Sequence, residues 1–356
     1  MCTAISLTTK YHYFGRNLDL DRSYGEAVCI MPRRFPLIFR KTERRDKHYA
    51  IIGMGTVVDK DEKQSYAEYG GLPLFYDATN EHGLSVAGLN FPENAYYPPL
   101  SDNPLEKVSA CENKTLNQES TTVKKEAIAP FEFIQWILCQ CKTVAEARKL
   151  ISSTVIADMD FSQGLCVTPL HWMISDKKED IVVEPMRKGL FVYENAAGVL
   201  TNNPPFKVQL ENLKKYSHLT AQNKEISKEN YTPYSSVSYG LGALGLPGDV
   251  SSPSRFVRAA FGRKNSVSED DVLSSVGQFF HLLSSVEVAR GVCKTDEGRL
   301  HFTRYSSCVN TDLGLYYYTT YENRRISCVD MHRTDLDGER ISRYTLSETQ
   351  SIEYQN

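Results

Sequence analysis

The second residue of the chain is a cysteine, and a cysteine that begins a mature chain is a nucleophile with a built-in base. Met before a small residue is usually removed, which would leave Cys2 with a thiol to attack and an α-amino group to take the proton. Such an amine has a pKa of about 7.7–8.0, so part of it is neutral at neutral pH. The thiol, near 8.5 when unperturbed, is lowered by an adjacent cation. The chemistry this pairing supports is acyl transfer. Alone, a small residue at position 2 signals only efficient Met removal. Arg16 and Asp19, in FGRNLDLD, sharpen the picture. Side chains alternate along a strand, so a hairpin would bring this segment beside the first. A guanidinium near the thiol favours thiolate, and a carboxylate can hold the terminal ammonium. On spacing alone, a surface ion pair of little energetic value explains Arg16 and Asp19 slightly better.

Other chemistries fit less well. Gly240, Gly242 and Gly245 form a G-x-G-x-x-G, but the string runs into Leu246-Pro247-Gly248-Asp249. A dinucleotide site needs a helix N-terminus there, with its amides on the pyrophosphate, so a Gly-rich loop is the better reading. The eight histidines make no H-E-x-x-H, H-x-H or Cys/His quartet, which predicts no metal site. His171, in TPLHWMIS, reads as a core residue. The nine cysteines form no CxxC and no regular framework. Apart from Cys2 they read as reduced, mostly buried small hydrophobes.

The elements that would position Cys2 are strands. Residues 2–7 and 12–15 suggest a hairpin around a Thr-Lys turn, and 27–31, 49–54 and 83–89 continue the strand pattern. A polar stretch over 101–126 suggests a surface loop. A helix follows Pro130, and a second has Thr143 as N-cap with Glu146 completing a capping box. Strands return at 171–175, 181–184, 190–193 and 198–200, and a short helix suits 210–216. Residues 267–283 are amphipathic, with Ser268 as a plausible cap. Strands at 302–309, 315–321 and 326–330 close the chain. This order lacks the regular βαβ alternation of a doubly wound fold. It predicts one mixed α+β domain spanning 2–356, with largely antiparallel sheets covered by helices.

Composition narrows the class. The 356 residues carry 41 Lys+Arg against 44 Asp+Glu, a net charge of -3. That argues against a basic nucleic-acid binder and an acidic solvating tail. No apolar run approaches the roughly 18 residues of a membrane span. The N-terminus has no apolar segment with a cleavage site, which predicts a cytoplasmic protein.

Four blocks, in order, then point to a family: MCTAISL with FGRNLDLD, NEHGLSVAGLNFP, GVLTNNPPF and GLPGDVSSPSRFVRAAF. With the C-terminal YYYTTYENRRISCVDM they closely resemble the choloylglycine hydrolase family, over nearly the whole chain. The family contains conjugated bile acid hydrolases and penicillin V acylases. The resemblance implies the N-terminal nucleophile fold, a four-layer αββα sandwich. Residue by residue, it places the nucleophile on Cys2, the active-site Arg and Asp on Arg16 and Asp19, and further site positions on Asn90, Asn202 and Arg255. Asn90 favours the bile salt branch. Asn203 is the rival of Asn202, and only geometry separates the two.

The roles implied are specific. Cys2 Sγ attacks the amide that joins a steroid acid to glycine or taurine, and a thioester forms. Asn90 stabilises the oxyanion. Asn202 holds the terminal amine and the attacking water, Asp19 orients the amine, Arg16 favours thiolate and Arg255 supports the charges. No cofactor and no metal is implied. The partner is a small-molecule conjugated bile salt, with no nucleic acid and no membrane span; relatives are commonly tetramers, which points to a homo-oligomer. Steroid burial would supply roughly 25 cal/mol per Å² before association costs. Leu18, Leu20, Tyr24, Val57, Val58 and Phe91 are candidate contacts, each equally plausible as core. The chain is longer than the family pattern around 59–74 and 101–126, where loop insertions are expected. The alternatives are an acylase for penicillin V or an acyl-homoserine lactone and, more remotely, a non-catalytic amphiphile-binding protein.

Overall fold

The computed structural model describes residues 1–58, 66–100, 125–161, 167–223 and 239–356. Residues 59–65 of the first expected insertion and 101–124 of the second lie outside the described residues, as do Cys111 and Cys166. Of the remainder, Ala67–Tyr69 forms a 3-10 turn, and Leu72 and Glu126 each open a strand.

Two sheets carry the fold. The six-stranded sheet runs β12 (Val199–Leu200), β1 (Cys2–Thr8), β2 (His12–Leu20), β13 (Phe302–Asn310), β14 (Leu315–Thr320) and β15 (Ser327–Asp330). The eight-stranded sheet runs β11 (Gly189–Glu194), β10 (Asp180–Met186), β9 (Leu170–Ser175), β6 (Ser85–Asn90), β5 (Leu72–Asn80), β4 (Ile51–Val58), β3 (Glu26–Met31) and β16 (Ser342–Thr345). Every pairing within both is antiparallel. A small parallel pair, β7 (Glu126–Ile128) with β8 (Thr154–Ile156), lies apart.

Alternation of apolar side chains explains the stacking. Val28, Ile30, Ile52, Met54, Ala87, Leu89, Met173 and Val182 pack toward the six-stranded sheet. Their strand neighbours Ala27, Cys29, Ile51, Val86, Trp172, Ile174, Ile181 and Val183 pack on the other face, with Trp136 and Ile137 of helix α1 (Phe133–Leu138) and Ala147 of helix α2 (Val144–Ser152). Strands buried on both faces lose the polar half of the usual pattern. The outer face of the six-stranded sheet is covered by α4 (Ser252–Asn265) and α5 (Val272–Ser284), through Phe256, Phe279 and Leu283, with Phe206 of α3 (Phe206–Lys214) beside them. The layers are therefore helix, sheet, sheet, helix, as the resemblance implied. No helix among the described residues is long and apolar enough to cross a membrane.

The caps follow local chemistry. Thr143 accepts from Glu146 N at 3.2 Å, as expected, while the Glu146 carboxylate accepts from Lys142 N at 2.7 Å, one residue short of the reciprocal capping-box bond. The expected cap at Ser268 is corrected: α5 starts later, with Asp271 accepting from Ser274 N at 2.9 Å. A carboxylate there also complements the helix dipole. Gly240–Gly245 leads only into a 3-10 turn, Leu241–Ala243, and no α-helix begins before Ser252. The dinucleotide reading is excluded on geometry.

His12 ties the sheets together, with Nδ1 at 2.8 Å from Thr8 Oγ1 and Nε2 at 2.8 Å from Ser175 Oγ of β9. Burial pushes its pKa down to about 4 from 6.5. The fold thus favours neutral imidazole, and this stability is present above pH 6.5 and lost as pH falls toward 4. The urea midpoint of a His12→Gln variant should depend less on pH across that window than that of the parent. A second test concerns Gly15, at the centre of β2. A Cβ there would lie 1.9 Å from Ser307 O of β13, whereas one on Gly277 in α5 meets nothing within 4 Å. Thermal melts should show Gly15→Ala destabilised by about 1–3 kcal/mol or more and Gly277→Ala stabilised by about 0.5–1 kcal/mol.

Candidate active site

The site begins where β1 begins. Cys2 pairs with Leu18 and Ala4 with Arg16, so strand alternation puts these four side chains on the face toward the eight-stranded sheet. Thr3, Asn17 and Asp19 take the opposite face, toward α5, where Asn17 Nδ2 donates to Leu283 O at 2.9 Å. The thiol and the Asp19 carboxylate thus lie on opposite sides of one sheet, and the backbone nitrogen of Cys2 sits between them at the strand end.

That nitrogen is held tightly. Cys2 N donates to Asn202 Oδ1 at 2.6 Å. Arg255 Nη2 donates to the same oxygen at 3.0 Å, while its Nη1 donates to Cys2 O and, at 2.5 Å, to Thr3 Oγ1. Arg255 is fully buried on the first turn of α4, which Pro253 helps to start. Asn202 Nδ2 donates to Asn90 O at 2.7 Å, joining the end of β12 to the end of β6. Asn203 instead donates to Pro92 O at 2.9 Å. Geometry therefore separates the rivals: Asn202 faces the Cys2 nitrogen and Asn203 does not.

The remaining residues arrive from the strands. Arg16 is fully buried and donates from Nη1 to Tyr76 O at 2.9 Å and to Gly88 O at 2.6 Å, both in the facing sheet. Burial opposes its charge, but attraction to Cys2, Tyr305, Asp77 and Asp19, in that order, raises its pKa above the usual value. Asp19 Oδ1 accepts from Thr303 Oγ1 at 2.6 Å, and Oδ2 has no hydrogen-bond partner among the described residues. Met1 continues β1, and its terminal ammonium lies 3.3 Å from His301 Nδ1 and donates to Asp19 O at 2.8 Å. Burial pushes this ammonium below its ordinary pKa, against the attraction of Cys2 and Asp19.

Asn90 stands at the exposed end of β6. Its carbonyl joins the network, and its side-chain amide makes no hydrogen bond within the described residues. The expected groove residues divide. Tyr24 is exposed, Leu20, Val57 and Val58 are half-buried, and all four lie at the end of the sandwich where Cys2 sits. Leu18 packs in the core beside Cys2. Phe91 is corrected: it is fully buried and stacks on His171 with ring centroids 4.2 Å apart, a packing residue instead of a groove wall. His171 is buried as expected, with Nδ1 3.1 Å from Glu184 Oε1, which also accepts from Phe206 N at 2.9 Å. A concavity lined by Leu37, Val58, Leu74, Phe131 and Gln135 involves none of the six expected catalytic residues.

Sequence reasoning missed Thr3, Thr303, His301 and Asp77. Each is an ordinary residue in its own segment, and only non-local pairing brings it to the site. Asp77 alone left a signal: a carboxylate within the strand pattern LPLFYDATN.

Comparison with known proteins agrees with this geometry. The model of the linear amide C–N hydrolases, choloylglycine hydrolase family, matches residues 2–344. The chain belongs to this family. Relatives include a bile salt hydrolase/transferase of Lactiplantibacillus plantarum, 44% identical over 97% of both chains, and one of Clostridium perfringens, 35% identical over 100% of both. The crystal structure of a cysteine-to-alanine mutant of conjugated bile acid hydrolase from Clostridium perfringens superposes over 100% of both chains, with a TM-score of 0.83 and 34% identity. The sandwich is therefore that of the N-terminal nucleophile hydrolases, and the chain is an amide C–N hydrolase.

If Asn202 holds the reacting nitrogen, Asn202→Ala should lower kcat/KM by about 10²-fold or more, the scale seen when one preorganised polar partner is removed from a reacting group. Asn203→Ala should leave turnover near the parent value. Steady-state kinetics on the two purified variants check this.

Proposed function

We propose that this chain, once Met1 is removed, hydrolyses the amide bond of glycine- or taurine-conjugated bile salts through a thioester on Cys2. The observation that carries the proposal is the 2.6 Å contact of Cys2 N with Asn202 Oδ1, at the meeting point of Arg255 and Asn90. Two relatives that span nearly the whole chain are bile salt hydrolases/transferases, which supports the substrate class.

The sequence of steps follows from the groups present. Removal of Met1 converts the Cys2 amide nitrogen into a primary amine, with Asn202 Oδ1 as its acceptor. The amine takes the thiol proton, and Sγ attacks the carbonyl carbon. The oxyanion that develops needs donors, which the unengaged Asn90 side-chain amide supplies. As the tetrahedral intermediate collapses, the C–N bond breaks and the amine returns its proton to the leaving nitrogen. Water then attacks the thioester and gives a proton to the same amine, which releases the bile acid and restores the thiol. Asp19 orients the ammonium form of the amine, and Arg16 and Arg255 balance the negative charge. Substrate contacts fall to Leu20, Tyr24, Val57 and Val58, at the same end of the sandwich.

Intact-mass analysis should show the chain without Met1. Cys2→Ser should lose turnover of glycocholate and taurocholate, followed by release of glycine or taurine, with an unchanged circular dichroism spectrum. A fully active Cys2→Ala protein would end the proposal. Faster turnover of penicillin V than of either bile salt would keep the mechanism and overturn the substrate.

A further inference from the structure

Asp77 lies between the two sheets, only 2% exposed, and nothing in the mechanism above uses it. It sits on β5, yet its carboxylate is held by the opposite sheet. Oδ1 accepts from Tyr305 Oη at 2.7 Å, and Oδ2 accepts from Tyr316 Oη at 2.5 Å and Ser307 Oγ at 3.1 Å. Three hydroxyl donors on one carboxylate suit its ionised form. Its backbone neighbour Tyr76 gives its carbonyl to Arg16, so the carboxylate and the guanidinium share one stretch of β5.

Around this pair the charged groups are few. Arg16 faces Asp77 from β2, Tyr305 and Ser307 from β13, and Tyr316 from β14, while its register partners Met54 and Ala87 on β4 and β6 are apolar. Burial pushes the Asp77 carboxyl upward, and the first attraction opposing it is Arg16. Arg16 in turn is drawn by Cys2 first, then by Tyr305, Asp77 and Asp19. Cys2 is also within the field of Arg255 and of the chain terminus. Geometry joins the three groups: Arg16 N donates to Ser307 Oγ at 3.2 Å, Ser307 Oγ donates to Asp77 Oδ2, and Arg16 and Cys2 share one face of adjacent strands, so Cys2 and Asp77 face one buried cation.

We propose that Asp77 is the counter-charge that sets how strongly Arg16 draws the Cys2 thiol toward thiolate, a positioning residue acting through Arg16. An unopposed Arg16 would favour a standing thiolate, and nucleophilicity falls as thiol pKa falls. The Asp77 charge opposes that pull and leaves proton transfer to the α-amine as a step of the reaction. The inference rests on the proposed N-terminal nucleophile, and its test does not need bile salt turnover.

The test is the pH dependence of Cys2 alkylation by iodoacetamide, read on the N-terminal peptide by mass spectrometry. That reading keeps Cys2 apart from partly exposed Cys293 and exposed Cys328. Asp77→Asn should move the midpoint to lower pH by about one unit, the lower end of a neighbouring charge's effect. In an Arg16→Met background the same replacement should move nothing, because the buried carboxyl without its cation takes up a proton. Tyr305→Phe removes a hydroxyl dipole from the carboxylate, keeps its charge, and should move the midpoint slightly to the alkaline side. Opposite directions for the two variants are the signature, since mere loosening of the core would move both the same way.

An unmoved or alkaline midpoint in Asp77→Asn overturns the inference, as does an undiminished shift in the Arg16→Met background. Should Asp77→Asn fail to fold, an acid shift or no shift in Tyr305→Phe overturns it alone. A wild-type protein that shows the titration but cleaves no bile salt fails the substrate proposal and leaves this one standing.

Discussion

A chain terminus is ordinarily the least ordered part of a protein, yet the proposed mechanism requires the nitrogen of Cys2, one residue from it, to be held within hydrogen-bond reach of a reacting bond. The contact of Cys2 N with Asn202 Oδ1 meets that demand, and much of the architecture serves it. β1 is paired on both sides, by β2 along its whole length and by β12 at Ala4 and Ile5. Asn202 follows directly on β12, so the strand that fixes one side of β1 also delivers the acceptor for its first nitrogen. Arg255 then clamps the Cys2 carbonyl and the Asn202 oxygen together. Nucleophile, strand edge and acceptor are locked by neighbouring bonds in one short circuit.

The clamp places two guanidinium groups out of water. Burying an unpaired cation is costly; the structure meets the cost with dipoles at Arg255, and at Arg16 with dipoles and the nearby Asp77 carboxylate. Arg255 is solvated by Val250 O, Cys2 O, Thr3 Oγ1 and Asn202 Oδ1, and Arg16 by Tyr76 O and Gly88 O. Such a shell leaves the field of Arg255 free to act on the site and that of Arg16 only partly opposed, whereas a bidentate ion pair would cancel it locally. These groups are better explained as positioning devices than as contributors to stability.

Much of this was legible in the chain. Cys2, Arg16 and Asp19 drew attention because the first hairpin is local, but spacing alone favoured a surface ion pair for Arg16 and Asp19, and only the resemblance gave them site roles; both are in fact buried, on opposite faces of the sheet. Arg255 was legible only by resemblance: its segment Ser252-Pro253-Ser254-Arg255 looks like loop, although Pro in a first helical turn is itself a start signal. β5 was hidden by Pro73 and by its second half, Asp77–Asn80, which is buried on both faces and reads without alternation. β16 is a short, largely exposed edge with little apolar signal. Asn202 and Asn203 are chemically identical neighbours, so no local rule could choose between them. Thr303 and Asp77 become site residues only when strands hundreds of positions apart in sequence are paired, and that information is not local.

The split of the first strand's two faces also constrains where an acyl group can sit. The Cys2 thiol lies on the face it shares with Ala4 and Leu18, toward the facing sheet. The nitrogen proposed to shuttle protons lies at the strand's end, bonded to Asn202, which in turn bonds Asn90. The reacting amide can satisfy both only at the rim of the sandwich, where the interior face meets that strand end. Strand ends gather there: Leu20 closes β2, Glu26 opens β3, Val57 and Val58 close β4, and Asn90 closes β6. On the proposed mechanism the chemistry is thus held by rigid strands, and the described residues nearest the acyl group are strand ends. The proposed catalytic groups and the proposed substrate contacts therefore rest on different parts of the chain.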